Sequence, residues 1–85
     1  PIVALGADAA RQSPDVKASF ESGVKAHLEV LGRMISATSA AEREEKSIAI
    51  LSMMVGALTL ARVVNDPKMA QSFLDSAAQK VREIA

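Results

Sequence analysis

The sequence predicts an all-α fold, and three observations lead to this prediction. The 85-residue chain is 49% hydrophobic, and Ala, Val, Leu, Ile and Met supply nearly all of that fraction. Ala, Leu and Met are strong helix formers. Apolar residues recur three and four positions apart, whereas no strand-like alternation and no Asn-Gly or Asp-Gly hairpin turn occurs. Helix-start signals punctuate the chain at short intervals. The sequence therefore predicts one domain, residues 1–85, built as an antiparallel bundle of about four helices.

The first two predicted helices are separated by a helix-start signal. The first covers about Ile2–Arg11. The second begins where Ser13 can act as N-cap and Pro14 can occupy the first helical position, and it runs to about Ser36. A short polar connection follows, so we expect the second and third helices to be antiparallel neighbours.

The third and fourth predicted helices also have clear starts. Ser39 and Glu42 match a capping box, and the third helix covers about Ala40–Val64. Asp66 as N-cap and Pro67 at the first helical position begin the fourth helix, which continues to the C-terminus.

The second and fourth predicted helices are amphipathic, each with one face to bury. The stripe on the second helix consists of Val16, Phe20, Val24, His27, Leu31, Met34 and Ile35. The arc on the fourth covers about half of its circumference. That arc consists of Met69, Phe73, Leu74, Ala77, Val81 and Ile84.

The third predicted helix is apolar on two sides. One stripe consists of Ile48, Leu51, Val55 and Leu58, and a second, nearly opposite, of Met53, Ala57, Leu60 and Val64. A helix apolar on both sides has to be covered on both sides. The other helices of so short a chain are too few for this, so we expect a second subunit, or further polypeptide, to cover the remainder.

Several function classes lack support in the sequence. Ten Lys and Arg balance ten Asp and Glu, whereas a free-standing nucleic-acid binder normally has a basic excess. Cysteine is absent, the single histidine has no partner for a metal site, and no phosphate loop, HExxH or GxSxG motif occurs. Glu42, Glu44 and Glu45 are interpreted as charges serving the start of the third helix. We therefore expect no enzyme activity and no cofactor.

The chain starts at Pro1 without an initiator Met, which indicates a fragment or a processed product of something longer, and the lack of a signal peptide favours the cytoplasm. The charge-free run from Ile48 to Ala61 has 14 residues. A membrane span needs about 20. We therefore expect no membrane insertion.

Two residues allow more than one interpretation. His27 is either a core histidine with one hydrogen-bond partner or a polar contact inside an apolar ligand cavity. Gly56, in the middle of the third helix, either marks a close helix crossing such as a subunit contact or is tolerated in a well-packed helix. We favour the crossing, because Gly56 and Ala57 form a small-residue notch.

The run from Ser52 to Arg62, SMMVGALTLAR, is followed by Asn65-Asp66-Pro67 and a final amphipathic helix. This order resembles the C-terminal end of TetR-type transcriptional regulators. The opening Pro1-Ile2-Val3-Ala4-Leu5 and the start at Ser13-Pro14-Asp15-Val16 resemble the preceding segments of one branch of that family. The resemblance covers essentially all of the chain.

The resemblance implies a homodimer whose C-terminal helical domain also binds a small effector. The last two helices of each subunit would form a four-helix dimer interface. On this chain the interface residues would be Met53, Gly56, Ala57, Leu60, Val64, Phe73, Leu74, Ala77 and Val81. An apolar effector would contact Phe20, Val24, His27 and Leu31. Operator DNA would be bound only by an N-terminal helix-turn-helix domain, which this chain lacks.

A different class of function also fits the residues. A small helical scaffold or adaptor domain, which dimerises without any ligand or link to transcription, would show the same apolar faces. A helix-turn-helix pattern in the reading frame upstream of Pro1 would favour the regulator, and its absence the scaffold.

Overall fold

A computed structural model of the chain describes residues 11–85, which form three α-helices. They are α1, Pro14–Arg33; α2, Ala40–Val63; and α3, Pro67–Ile84. The described residues contain no strand, which confirms the all-α class. The helices correspond to the second, third and fourth predicted helices. The first predicted helix lies outside the described residues, apart from Arg11 in a turn, so the four-helix bundle is not confirmed.

The predicted N-caps are confirmed at all three helices. The Ser13 and Ser39 hydroxyls each accept a hydrogen bond from the backbone N–H three residues later, at 3.3 and 3.1 Å. The Asp66 carboxylate accepts one from the Lys68 N–H at 2.9 Å. Each bond satisfies a backbone donor that has no partner within its helix. The sequence thus specifies where each helix begins.

The predicted end of the second helix was wrong by one turn. α1 ends at Arg33 rather than near Ser36, with Met34 as C-cap. The Arg43 guanidinium of α2 donates hydrogen bonds to the carbonyl oxygens of Gly32 and Ile35 at this end. A side chain from the next helix therefore satisfies the backbone carbonyls at the end of α1. This contact is long-range, so no local sequence pattern predicts it.

α2 lies between the other two helices. It packs more extensively against α3 than against α1. Three residues connect α2 to α3, so the two form an antiparallel pair. At the far end of the pair the Ser36 N–H donates to the Ala85 carbonyl at 3.3 Å, which joins the end of α3 to the α1–α2 connection.

The described residues bury little. Ile50 is 2% exposed and Ile35 is 5% exposed, and the other buried residues are Gly32, Ser47 and Ala57. The Cα radius of gyration is 14.6 Å, and the chain extends 40 × 37 × 14 Å. A compact domain of this length would have a radius of about 12 Å. The three helices therefore form an open slab rather than a closed core.

The two apolar stripes of α2 differ in how far the described residues bury them. On the stripe that contains Ala57, which is buried, Met53 and Leu60 are half-buried beside α3. On the other stripe Val55 is 55% exposed and Leu58 is 47% exposed. Residues 11–85 thus cover one side of α2 and leave most of the other side accessible.

Candidate functional site

The junction between the end of α1 and the start of α2 fixes the position of α1. Besides the two Arg43 hydrogen bonds, the Lys46 ammonium donates to the Ser36 carbonyl at 2.9 Å. Ser47, buried, donates from its hydroxyl to the Arg43 carbonyl at 2.7 Å. The Ser47 bond lies within α2, whereas the Arg43 and Lys46 bonds are charge-assisted, and such bonds are among the stronger polar contacts in proteins. The Arg43 and Lys46 bonds anchor α1 at its C-terminal end, while its N-terminal half is mostly exposed.

An apolar groove of about 490 Å³ lies between the N-terminal half of α1 and the second half of α2. We call it the α1–α2 groove. Its lining consists of Ser19, Phe20, Gly23, Val24, His27, Leu51, Met54, Val55 and Leu58. Its volume falls in the range of small-molecule sites, and a predominantly apolar lining with few polar groups is typical of them.

Phe20 is the most exposed aromatic feature of this groove. Its side chain is 70% exposed although it lines an apolar surface. Val55 and Leu58, on the other wall of the groove, are also exposed, so the three side chains form an exposed apolar patch.

His27 is not the core residue that one interpretation of the sequence expected. It is exposed, and its Nδ1 lies 2.8 Å from the Gly23 carbonyl oxygen one turn earlier in α1. That interpretation also expected one hydrogen-bond partner for the ring, and the Gly23 carbonyl is such a partner. The ring also lines the α1–α2 groove, which the other interpretation predicted.

Three of the four predicted effector residues come together in this groove: Phe20, Val24 and His27. Leu31, the fourth, is half-buried and lies outside the groove lining, one turn beyond His27 towards the anchored end of α1. The prediction followed one helix stripe and took no account of where α1 meets its neighbour.

The contribution of α2 to the groove was missed. Leu51, Met54, Val55 and Leu58 supply its second wall. Three of them belong to one of the two apolar stripes that the sequence showed on this helix, so the signal was present. What the sequence lacked was the pairing of that stripe with the α1 stripe.

The predicted dimer residues lie on the α2–α3 pair, on two sides of it. Ala57, buried, lines two shallow grooves that flank the contact between these helices. One, of about 310 Å³, is lined by Met53, Ala57, Leu60, Phe73, Ser76, Ala77 and Lys80. The other, of about 400 Å³, is lined by Met54, Ala57, Leu58, Leu74, Ala77, Ala78, Val81 and Arg82.

The first of these surfaces we call the Met53 face, and it holds five of the nine predicted interface residues. The second, the Leu74 face, holds Leu74 and Val81, and shares Ala57 and Ala77 with the Met53 face. Val64 is half-buried just after α2 ends and lines neither. Met54 and Leu58 line both the Leu74 face and the α1–α2 groove, so those two surfaces adjoin.

Gly56 meets no other described element at close range. A Cβ built at this position would have no heavy atom within 4 Å. A close crossing within the described part of the chain is therefore not what places a glycine here. A crossing with a second subunit stays a prediction.

Charge on the described surface is arranged mostly in local pairs along each helix. Glu42 accepts from the Thr38 hydroxyl at 2.9 Å, and this hydrogen bond, with a second from Lys46, lowers the pKa of Glu42 below its ordinary value of 4.5. Glu42 thus uses its carboxylate on Thr38, and the reciprocal half of the predicted capping box is not formed. Within residues 11–85 no group of three or more His, Cys, Asp or Glu side chains is placed to hold a metal ion.

One described helix, α2, is long and apolar enough to cross a membrane by length and composition alone. An 18-residue stretch of this helix has a mean hydropathy of 1.5, and 17% of that stretch is buried. The same properties belong to helices that pack between neighbours in soluble proteins. The sequence expectation against membrane insertion rested on the shorter charge-free run, and it stays a prediction.

Comparison with known proteins adds no relative to this description. No family model matches the chain, and no curated protein and no solved structure is significantly similar to it.

Proposed function

We propose that the chain is the dimerisation and effector-sensing part of a TetR-type transcriptional repressor. The observation that supports this most is the separation of two kinds of apolar surface on α2. One lines a groove with α1 that has the size and polarity of a ligand site. The other, the Met53 face, lies on the α2–α3 pair, is shallow and shares no lining residue with that groove.

The α1–α2 groove is the proposed effector site. An apolar effector would cover Phe20, Val55 and Leu58, which the chain leaves largely exposed. His27 would supply a polar contact. Burial of apolar surface contributes about 25 cal/mol per Å², so a ligand that fills the groove gains binding free energy in proportion to the apolar area that it covers.

The Met53 face is the proposed centre of the dimer interface. Two α2–α3 pairs that pack through this face would form a four-helix bundle. A twofold axis would bring each interface residue against the same surface of the partner. The slab is 14 Å thick, and a second layer of helices would complete the core that residues 11–85 leave open.

Operator DNA would be bound by a helix-turn-helix domain encoded upstream of Pro1. The balance of ten basic and ten acidic residues leaves this chain without the net positive charge that attracts phosphates. In the intact protein, an effector that binds one arrangement of the dimer more tightly would shift the population towards it.

The effector site is tested by titrating the 15N-labelled chain with apolar probes and recording backbone amide shifts. We expect saturable shifts confined to the groove residues. Val55→Glu places a charge in the groove and should abolish them. Met69→Glu is the matched control, because Met69 is exposed to a similar degree (49%, against 55% for Val55) but lies outside all these surfaces. Shifts spread equally over every exposed apolar residue, or no shifts, would contradict the effector role.

The rival function, a helical scaffold that dimerises without a ligand, predicts the same dimer and no saturable groove binding. The reading frame upstream of Pro1 separates the two independently. A helix-turn-helix pattern there supports the repressor, and its absence supports the scaffold.

A further inference from the structure

The hydrogen bond of His27 determines which ring nitrogen carries the proton. Nδ1 lies 2.8 Å from the Gly23 carbonyl oxygen. A carbonyl oxygen only accepts hydrogen bonds, so Nδ1–H is the donor. In a neutral imidazole the other nitrogen, Nε2, then has a lone pair and acts as an acceptor.

Nε2 makes no hydrogen bond to any side chain or backbone group of the described residues. The ring to which it belongs lines the α1–α2 groove, where nearly all other lining residues are apolar or glycine. Ser19 is the one other polar residue of that lining. It lies eight residues from His27, about 12 Å along a helix, so a polar group beside the imidazole would be out of its reach.

We infer that the ligand of this groove is a hydrophobic molecule that carries a hydrogen-bond donor, such as a phenol or an alcohol. Its hydroxyl donates to Nε2 of His27. The inference rests on the proposed effector role of the groove and names the chemistry of that effector. Ketones, ethers and esters have only acceptors, and a lone pair of Nε2 offers them nothing.

The size of the preference follows from ordinary hydrogen-bond energetics. One neutral hydrogen bond at a partly solvated site changes affinity by about three- to tenfold. The apolar groove supplies the remaining affinity, so a matched molecule without the donor should still bind, but more weakly.

The test uses 4-butylphenol and 4-butylanisole, which share the ring and chain and differ in the hydroxyl proton. Dissociation constants are measured on the full 85-residue chain at pH 8. His27→Phe keeps a planar ring and removes Nε2. Ser19→Ala is the matched control, because it removes the other polar group from the same groove.

We expect the wild type and Ser19→Ala to bind the phenol about three- to tenfold more tightly than the anisole. His27→Phe should lose this preference and bind the anisole at least as tightly as the phenol, because the methyl group of the anisole adds apolar area. On the wild type, the 15N resonance of Nε2 should be that of an unprotonated nitrogen and should shift with the phenol and not with the anisole. This spectrum does not depend on whether the variant folds.

Three outcomes would overturn the inference. If both probes bind in the groove with equal affinity, the effector site stands and the donor preference fails. If the preference survives in His27→Phe, or if Nε2 is protonated in the free chain, His27 is not the acceptor. If neither probe shifts the groove residues, the proposed effector function fails together with the inference.

Discussion

α2 joins its two neighbours by different chemistry. Its start is tied to the end of α1 by the hydrogen bonds of Arg43 and Lys46, in a junction that also buries Gly32 and Ser47. Between α2 and α3, by contrast, no side-chain hydrogen bond or ion pair is present among residues 11–85. Those two helices meet through apolar side chains around Ala57.

This difference in chemistry gives the two junctions different consequences. One fixes the orientation of a helix, and the other leaves apolar surface that further packing can cover. Hydrogen bonds are directional, so they fix the orientation of α1 relative to α2 and thereby shape the α1–α2 groove. Apolar packing is not directional and is roughly proportional to buried area, so the α2–α3 pair can gain further stability from any matching apolar surface. The polar junction therefore suits a site of defined shape, and the apolar pair suits an interface.

The largest effect is expected in the small buried core of the described residues. Ile50 is the most buried large side chain of the described residues. Ile50→Ala should lower the free energy of unfolding by about 2–4 kcal/mol, because it removes buried methyl groups and leaves a cavity. Urea denaturation followed by circular dichroism measures it. A loss no larger than that from Val55→Ala, whose side chain is 55% exposed, would show that this core does not hold the helices together.

The polar junction should be the next most sensitive. Arg43→Met keeps an unbranched apolar stem and removes both hydrogen bonds to the end of α1. We expect a loss of about 2 kcal/mol, since hydrogen bonds to charged groups are worth more than neutral ones. Arg62→Met, an exposed arginine of the same helix, should cost at most about 0.5 kcal/mol through the helix dipole. Equal losses for the two variants would mean that the Arg43 bonds do not anchor α1.

Two glycines offer a matched comparison between the groove and the predicted interface. A Cβ at Gly23 of α1 or Gly56 of α2 would meet nothing within 4 Å, so each helix should tolerate a leucine. If Gly56 lies at a subunit crossing, Gly56→Leu should weaken the dimer by about 1–3 kcal/mol through overpacking. Gly23→Leu should leave the dimer unchanged. Dilution series in analytical ultracentrifugation measure both, and an unaffected Gly56→Leu dimer would remove this glycine from the interface.

The smallest expected effect is the loss, at acidic pH, of the stability that Glu42 contributes. Because the pKa of Glu42 is lowered in the folded chain, chiefly by the Thr38 hydroxyl, its carboxylate contributes stability at neutral pH. That contribution is lost as the pH falls below the ordinary value of 4.5 and through the lowered pKa. Thr38→Ala should raise the pKa of Glu42 in a 13C titration of the carboxyl groups. Glu83, whose pKa is lowered by Lys80 and Gln79, should not change. An unchanged Glu42 titration would contradict the role of Thr38.

The sequence specified the local features well and the long-range ones poorly. Ser13, Ser39 and Asp66 predicted the helix starts, because an N-cap acts within three residues. The end of α1 was wrong because it depends on Arg43, which the fold brings from another helix. Likewise, the stripe containing Phe20 and His27 predicted half of the groove. Its other wall depends on how α1 and α2 cross, and helix periodicity carries no information about that.

In the dimer that we propose, the α2–α3 pair forms the interface and the α1–α2 groove does not. Sedimentation equilibrium of the chain at micromolar concentration tests it most directly, with two charge substitutions. Leu60→Glu lies on the Met53 face, and Val55→Glu lies in the groove. We expect the wild type and Val55→Glu to sediment at twice the chain mass of 8.9 kDa, and Leu60→Glu to sediment at the monomer mass. A stable, monodisperse wild-type monomer, or a dimer that Val55→Glu disrupts and Leu60→Glu does not, would contradict the account.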